Sequence, residues 1–162
     1  MRLPVVVEQV RPEITYDLRA RVLRPDLPPV RARFPGDAAA DATHYAAYDR
    51  ADRVVGVVAV LPEPTPSGLA GHRLRGMAVH PDERASGVGA ALLVRVFDGV
   101  ARLGGGLLWC QARIAARGFY ARAGFIEVGE IWQDPDFGPH VEMHRHVDAS
   151  DLIAPPTDVG DV

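Results

Sequence analysis

Two glycines, Gly87 and Gly89, lie two positions apart in the stretch HPDERASGVGAALL (80–93), where a polar turn meets an apolar run. The run is typical of a helix, and the first turn of a helix leaves backbone N–H groups without partners. Glycines let a ligand approach those groups closely, and the helix dipole adds positive character there. The stretch therefore predicts an anion site, with phosphate as the expected anion.

Four interpretations of this stretch compete. A dinucleotide-binding fingerprint needs a third glycine where Leu92 stands, and the acidic residue expected about 20 positions later is not evident. A Walker-type loop needs a lysine, and all 18 basic residues of the chain are arginine. A pyrophosphate-binding arm over Arg84–Ala90 needs only glycines and main-chain amides. A plain helix start capped by Ser86 or Gly87 explains the same residues equally well.

Composition and charge exclude several classes of function. The chain has 162 residues and a formal net charge of −3, which gives no general attraction to nucleic acid. Its apolar runs are too short for a membrane span or a signal peptide. The absence of lysine excludes Schiff-base chemistry. The single cysteine, Cys110, excludes an internal disulfide and fits a reducing compartment, so we expect a cytoplasmic protein.

The elements that would position the glycines alternate between strand and helix. Pro12 suits a first helical position, and apolar residues then recur at helical spacing until Pro25. Gly76 lies inside a predicted strand, where glycine often marks a bulge. We expect one domain over residues 1–147 and a loose tail over 148–162, which has little to bury. The predicted strands cover residues 4–10, 43–49, 53–61, 72–80, 107–112, 125–133 and 140–147, and the predicted helices cover about 12–24, 88–103 and 114–122.

The glycine stretch and two further segments together resemble one protein family. LRGMAVHPDERASGVGAALL (74–93) is similar to the strand, pyrophosphate arm and helix of the GNAT superfamily of acyl-CoA-dependent N-acyltransferases. WCQARIAARGFYARAGF (109–125) is similar to its next strand and helix, and DFGPHVEMHRHV (136–147) resembles the closing hairpin of one uncharacterised bacterial branch. The resemblance covers most of residues 3–147. It implies an α/β (α+β) fold with a mixed sheet of six to seven strands, splayed at the cofactor site and flanked by about four helices.

The resemblance also implies a binding site for acetyl-CoA, and no metal. The pantetheine arm would lie between the strands at 72–80 and 107–112, where a bulge at Gly76 could expose main-chain amides. Many members of the family carry Asn at the position of Arg113. The residues expected to bind the cofactor are Met77, Ala78, Val79, Arg84, Ala85, Ser86, Gly87, Val88, Gly89, Ala90, Arg113, Ala116 and Tyr120.

Two residues are candidates for proton transfer. Tyr120 would protonate the departing thiolate and face the cleft while Phe119 packs in the core; the alternative is an ordinary half-buried tyrosine. His140, presented by the turn GPH, is a candidate general base because histidine titrates near neutrality; the alternative is a surface turn residue. Glu142 lies two residues further on and would favour a cationic amine. The other histidines do not have the spacing of a metal-ligand set.

These features predict an N-acetyltransferase that passes an acetyl group directly from acetyl-CoA to a primary amine, without a covalent enzyme intermediate. An acyl-CoA-binding module without turnover is the alternative, and a dinucleotide-binding domain is a more distant one. The acceptor stays open, because an amino acid, a polyamine, an antibiotic or a peptide N-terminus would each offer an amine. No nucleic-acid or membrane partner is expected, and a homodimer is compatible with the family.

Overall fold

The computed structural model describes residues 5–153, whose seven strands form one mixed sheet. The strands are β1 (Val6–Val10), β2 (Thr43–Tyr48), β3 (Val54–Pro62), β4 (His72–Val79), β5 (Gly106–Arg113), β6 (Ile126–Asp134) and β7 (Gly138–Val147). They lie side by side in the order β1-β2-β3-β4-β5-β7-β6. Neighbouring strands are antiparallel except for β4 and β5, which run parallel. The expected mixed sheet of six to seven strands is confirmed.

Within residues 5–153, three α-helices accompany the sheet, where about four were expected. They are α1 (Glu13–Leu23), α2 (Val88–Arg102) and α3 (Arg117–Arg122). Helix α1 follows Pro12, whose φ of −55° already suits a helix, and it ends before Pro25. Helix α3 is shorter than predicted because a 3₁₀ turn at Ile114–Ala116 replaces its first residues. None of the helices in this part of the chain is long and apolar enough to cross a membrane.

The helices cover opposite faces of the sheet. The larger part of the core lies on the face under α2 and includes Leu92, Leu108 and Met143, each at most 1% exposed. Helix α1 covers the other face, where Leu18 packs in a smaller cluster with Ala78. Because side chains alternate along a strand, odd-numbered positions of β5 face the α1 side. The even-numbered residues Leu108, Cys110 and Ala112 of β5 belong to the core under α2.

Residues 148–153, the first part of the tail that was predicted to be loose over 148–162, pack against α2. A 3₁₀ turn at Ala149–Asp151 is held by a capping box. The amide of Ile153 donates to the carboxylate of Asp98 on α2 at 2.8 Å. Polar contacts thus fix residues 148–153 although this segment has few apolar side chains to bury. The rest of the predicted tail, residues 154–162, lies outside the described residues.

Candidate active site

Strands β4 and β5 separate soon after they meet. Within the described residues they pair only at the first two positions of β4, His72 and Arg73, and then diverge. On its other side, β4 shifts register against β3 at Gly76, whose φ is +65°. This shift confirms the predicted bulge. The opening between the diverging strands, which we call the β4–β5 gap, matches the splayed sheet implied by the family resemblance.

The main-chain amide of Val79 points into the β4–β5 gap. The amide of His80 donates to the Val55 carbonyl of β3 at 2.8 Å. Successive amides of an extended strand point to opposite sides, so the amide of Val79 faces away from β3 and that of Ala78 faces toward it. Met77 adjoins the bulge, where this alternation is interrupted. Among the three predicted contacts on β4, the geometry favours Val79 as the donor into the gap.

The loop after β4 ends in free backbone donors at the start of α2. Ala85 and Gly87 both have positive φ, +62° and +89°, so the backbone enters the left-handed region twice before the helix begins. The amides of residues 88–90 belong to the first helical turn and have no acceptor among the described residues. A Cβ added at Gly87 would have no described atom within 4 Å. The space beside Gly87, next to these donors, is therefore open.

The side chains of this loop leave its amides uncovered. Gly87 takes the N-cap position, and no side chain caps the helix. The hydroxyl of Ser86 turns back and donates to the carbonyl of Glu83, so it shapes the loop instead of capping α2. Arg84 is exposed at the edge of the loop. The predicted helix cap at Gly87 and the predicted arm are thus compatible with one another.

Close packing joins the arm to α3. A Cβ on Gly89 would lie 2.8 Å from the ring of Phe119, so only glycine lets the two helices approach this closely. Phe119 is partly buried, whereas Tyr120 is only 6% exposed. This order of burial is the reverse of the one expected from the sequence, because Phe119 packs against the arm and Tyr120 packs into the core.

Tyr120 carries a protonated hydroxyl without a protein acceptor. Its ring packs edge-on against Phe119 and Phe125, with ring centroids 5.1 and 5.3 Å apart. Burial raises the pKa of the hydroxyl well above its ordinary value, and the nearby Cys110 adds to this rise. No hydrogen bond joins the hydroxyl to the residues that the structure describes. The phenol is therefore a hydrogen-bond donor at neutral pH.

Arg113 and Ala116 lie near the end of β5, beyond the divergence of the strands. The guanidinium of Arg113 donates to the Leu23 carbonyl of α1 at 2.7 Å, which places its charge on the α1 side. Ala116 ends the 3₁₀ turn before α3 and packs against the core. Whether either residue contacts the cofactor stays a prediction.

His140 lies on β7 directly opposite Arg113 of β5, on the α1 side of the sheet. Its ring stacks on Trp132, with centroids 5.6 Å apart. Its Nδ1 lies 2.9 Å from the carbonyl of Gly138, which can only accept a hydrogen bond. The neutral ring therefore carries its proton on Nδ1 and keeps the electron pair of Nε2 free.

Glu142 is not a free carboxylate. It contacts Nε2 of His144 at 2.5 Å, and Gln111 of β5 lies opposite it in register. Gln111 accepts from Arg73, which also pairs with Glu63 at 2.9 Å. Polar side chains thus run continuously across the α1 side of β4, β5 and β7. We call this surface the acceptor face; it consists of Arg73, Gln111, Arg113, His140, Glu142 and His144.

A buried ion network beneath the bulge was not predicted from the sequence. Arg19 of α1 is fully buried and pairs with Asp37 at 2.6 Å, and Arg75 of β4 pairs with the same carboxylate at 3.1 Å. Nε of Arg19 lies 2.7 Å from the place where a Cβ of Gly76 would stand. Residues 19 and 75 lie 18 and 38 positions from Asp37, so no local pattern marks the network. The only available signal was the position of Arg19 on the buried side of α1.

The network keeps a fixed charge pattern at neutral pH. Burial alone would raise the pKa of Asp37, but hydrogen bonds from Arg19 and the Phe34 amide, with the charges of Arg19 and Arg75, hold it below its ordinary value. His44 donates through Nε2 to the Asp37 carbonyl at 2.9 Å, and burial lowers its pKa. Two guanidinium groups therefore face one carboxylate and one neutral imidazole next to the bulge.

The described residues offer neither a metal centre nor a reactive thiol. Within residues 5–153, no group of three or more His, Cys, Asp or Glu side chains lies close enough to hold a metal ion. Cys110 is 1% exposed, and burial raises its pKa to about 12. Its thiol therefore stays protonated and is a poor nucleophile.

Two solved structures illustrate the likeness of this fold to known proteins. The crystal structure of an aminoglycoside 6′-N-acetyltransferase complexed with coenzyme A covers 93% of this chain and 99% of its own, with a TM-score of 0.67 and 16% identity. A Lactobacillus plantarum protein classed as an N-acetyltransferase covers 90% of this chain and 99% of its own, with a TM-score of 0.73 and 16% identity. These likenesses show a common fold.

Two sequence comparisons identify the family. The YitI protein of Bacillus subtilis, named an uncharacterized N-acetyltransferase, is 30% identical over 142 residues, which make up 86% of this chain and 94% of YitI. A family model described as the acetyltransferase (GNAT) domain matches residues 40–127. The chain therefore belongs to the GNAT family of N-acetyltransferases and is an acyltransferase.

Proposed function

We propose that this protein transfers an acetyl group from acetyl-CoA to a primary amine of a small molecule or peptide. The observation that carries the proposal is the position of the β4–β5 gap next to the free amides at the start of α2. The pantetheine arm would lie in the gap like an added strand, and the pyrophosphate would accept hydrogen bonds from the amides. A protein with the same fold, the aminoglycoside 6′-N-acetyltransferase, is complexed with coenzyme A.

The residues present suit such a cosubstrate. The space beside Gly87 is open, and this glycine has a φ that other residues rarely adopt. Main-chain amides can bind phosphate without lysine or metal, which is consistent with a chain that has no lysine. Arg84 is exposed beside the amides and can add a positive charge.

The reaction needs three positioned groups. The amine nitrogen forms a bond to the thioester carbon, the C–S bond breaks, the nitrogen loses a proton and the sulfur gains one. The amide of Val79 would donate to the carbonyl oxygen as negative charge develops on it. Tyr120 would donate a proton or a hydrogen bond to the departing sulfur. His140 would take the proton from the amine through Nε2, directly or through one water.

A screen of diverse amines tests the proposal. Purified protein and acetyl-CoA are mixed with each amine. The free thiol of released CoA is measured, and the mass of the acetylated product is determined by mass spectrometry. We expect acetyl-CoA to raise the melting temperature and at least one class of amine to release CoA. Binding without turnover on any amine would instead indicate an acyl-CoA-binding module. A melting temperature that acetyl-CoA does not change would contradict both functions.

A further inference from the structure

Three separate elements meet beside the β4–β5 gap and bring two arginines onto one aromatic ring. Arg24 follows α1, Arg113 ends β5, and Phe137 lies in the turn between β6 and β7. The guanidinium carbons of Arg24 and Arg113 lie 4.8 and 5.1 Å from the centre of the Phe137 ring. We call Arg24 and Arg113 the arginine pair. Two positive charges are held close together here, and their repulsion must be offset by another interaction.

No protein carboxylate neutralises the arginine pair directly. Among residues 5–153, neither arginine forms an ion pair. Asp134 acts on both charges from a distance, but its Oδ1 already accepts the amides of Asp136 and Phe137. The positive charge of the pair therefore remains available to a ligand.

Most of the hydrogen-bond donors of the arginine pair are also available. Arg24 donates to the Arg31 carbonyl at 2.9 Å and Arg113 to the Leu23 carbonyl at 2.7 Å. A guanidinium has five N–H donors, so each side chain keeps several for a ligand. Burial lowers the pKa of both arginines, and the charges of Arg31 and Arg113 add to the effect at Arg24. An anion would relieve this electrostatic cost.

The arginine pair lies next to the candidate base. Arg113 is directly opposite His140 in the β5–β7 register, so their Cβ atoms are separated by about 5 Å. An amine that reaches His140 would thus bring its nearest substituents to the arginine pair. Glu142, which was expected to attract a cationic acceptor, is instead engaged with His144.

We propose that the acceptor is a primary amine with an anionic group, a carboxylate or a phosphate, within a few bonds of its nitrogen, and that the arginine pair binds this group. The inference rests on the proposed function and names the substrate class for the same site. Planar guanidinium groups match the paired oxygens of both anions, which explains why arginines are suited to the position.

Pairs of anionic and neutral substrates test whether the acceptor carries a carboxylate, a phosphate or neither. Each common L-amino acid is compared with its amide, and phosphoethanolamine is compared with ethanolamine, by the CoA released. We expect the anionic member of at least one pair to have about tenfold or higher kcat/KM, the usual effect of one charged hydrogen-bond partner. The substrate pair that shows this preference identifies the anion as a carboxylate or a phosphate.

Variants then assign the preference to the arginine pair. Arg24→Gln should lower the ratio of kcat/KM for the anionic substrate over its neutral partner by about tenfold, and Arg24→Lys should restore part of it. Arg21→Gln is the matched control, because Arg21 is exposed on α1 and pairs with Asp17. The melting temperature of each variant reports whether it is folded.

A binding readout keeps this inference distinct from the proposed function. N-Acetyl amino acids and their amides are added to the protein with CoA, and the melting temperature is followed. Stabilisation by the carboxylates alone, lost in Arg24→Gln, supports the inference even if no amine turns over and the proposed function fails. Turnover that is equal for both members of every substrate pair overturns the inference while the transferase function stands. Without turnover, equal stabilisation by the N-acetyl amino acids and their amides overturns it for a carboxylate. An equal loss of acetyl-CoA affinity in Arg24→Gln also overturns it, because the pair would then serve the donor.

Discussion

Backbone amides form one side of the β4–β5 gap, at the start of α2, and side chains form the other side, on the acceptor face. At the start of α2, main-chain amides have no acceptor among the described residues, and Gly87 and Gly89 place no side chain beside them. On the acceptor face, long charged and aromatic side chains from separate elements meet, as Arg113 and His140 do. We call the start of α2 the donor side and the acceptor face the acceptor side. The proposed binding of acetyl-CoA thus depends on backbone conformation, and the proposed choice of amine depends on side-chain identity. Substitutions should therefore separate binding of acetyl-CoA from choice of amine.

The largest effect on turnover is expected at the one side chain that would serve both sides, Tyr120. Tyr120→Phe keeps the packed ring and removes the proton, so kcat should fall by about 100-fold while acetyl-CoA affinity changes little. Steady-state kinetics with a good amine and calorimetric titration of acetyl-CoA measure the two quantities. Tyr45→Phe is the matched control, since Tyr45 is also buried but packs against Gly99 of α2. Turnover at the wild-type rate in Tyr120→Phe would make this tyrosine a packing residue only.

A smaller effect, confined to the acceptor side, is expected from His140→Ala. At pH 7 the variant should have about tenfold lower kcat/KM for the amine, because the ammonium proton has no nearby acceptor. The loss should shrink as the pH rises and the free amine becomes neutral without help. The pH–rate profile is the measurement, and His146→Ala, an exposed residue on the same strand, is its control. If the profiles of His140→Ala and wild type coincide, His140 is a turn residue without a chemical role.

The smallest expected effect concerns the stability of the network beneath the bulge. Burial holds the pKa of His44 below its unfolded value, so its neutral form stabilises the fold above about pH 6.5 and this contribution is lost as the pH falls. Urea unfolding should show the free energy of unfolding decreasing by at most about 1.4 kcal/mol per pH unit below that point from this residue. His44→Gln should flatten the slope, whereas His146→Gln should not. An unchanged slope in His44→Gln would place the acid sensitivity elsewhere.

The sequence predicted the strands and the bulge better than the contacts among charged side chains on the α1 side, for a physical reason. Apolar runs bounded by turns mark the strands, and Gly76 marks the bulge, because these signals lie within a few adjacent residues. The pairing of Arg19 with Asp37 and Arg75, and the meeting of Arg24 with Arg113, join residues far apart in the chain. Such contacts exist only once the sheet and α1 are assembled.

Two further predictions from the sequence differ from the structure because they depend on contacts between distant parts of the chain. The burial order of Phe119 and Tyr120 depends on how closely α3 approaches Gly89, which helical spacing alone does not determine. The segment 148–153 was predicted to be loose from its lack of apolar residues, but it is fixed by polar contacts such as the one between Ile153 and Asp98.

Binding of acetyl-CoA by backbone amides at the start of α2 is the central claim, and two glycine variants test it most directly. Gly87 and Gly68 have φ of +89° and +95°, and an added Cβ at either would meet no described atom within 4 Å. Glutamate at either position therefore carries a similar backbone strain of about 1–2 kcal/mol and the same charge. Only Gly87→Glu places that charge where phosphate would lie.

Calorimetric titration of acetyl-CoA into wild type, Gly87→Glu and Gly68→Glu is the measurement. The affinity of Gly68→Glu should equal that of the wild type, and the affinity of Gly87→Glu should fall by about 100-fold or more, since like charges are juxtaposed and the amides are covered. Wild-type affinity in a folded Gly87→Glu would contradict the account and place the cosubstrate elsewhere.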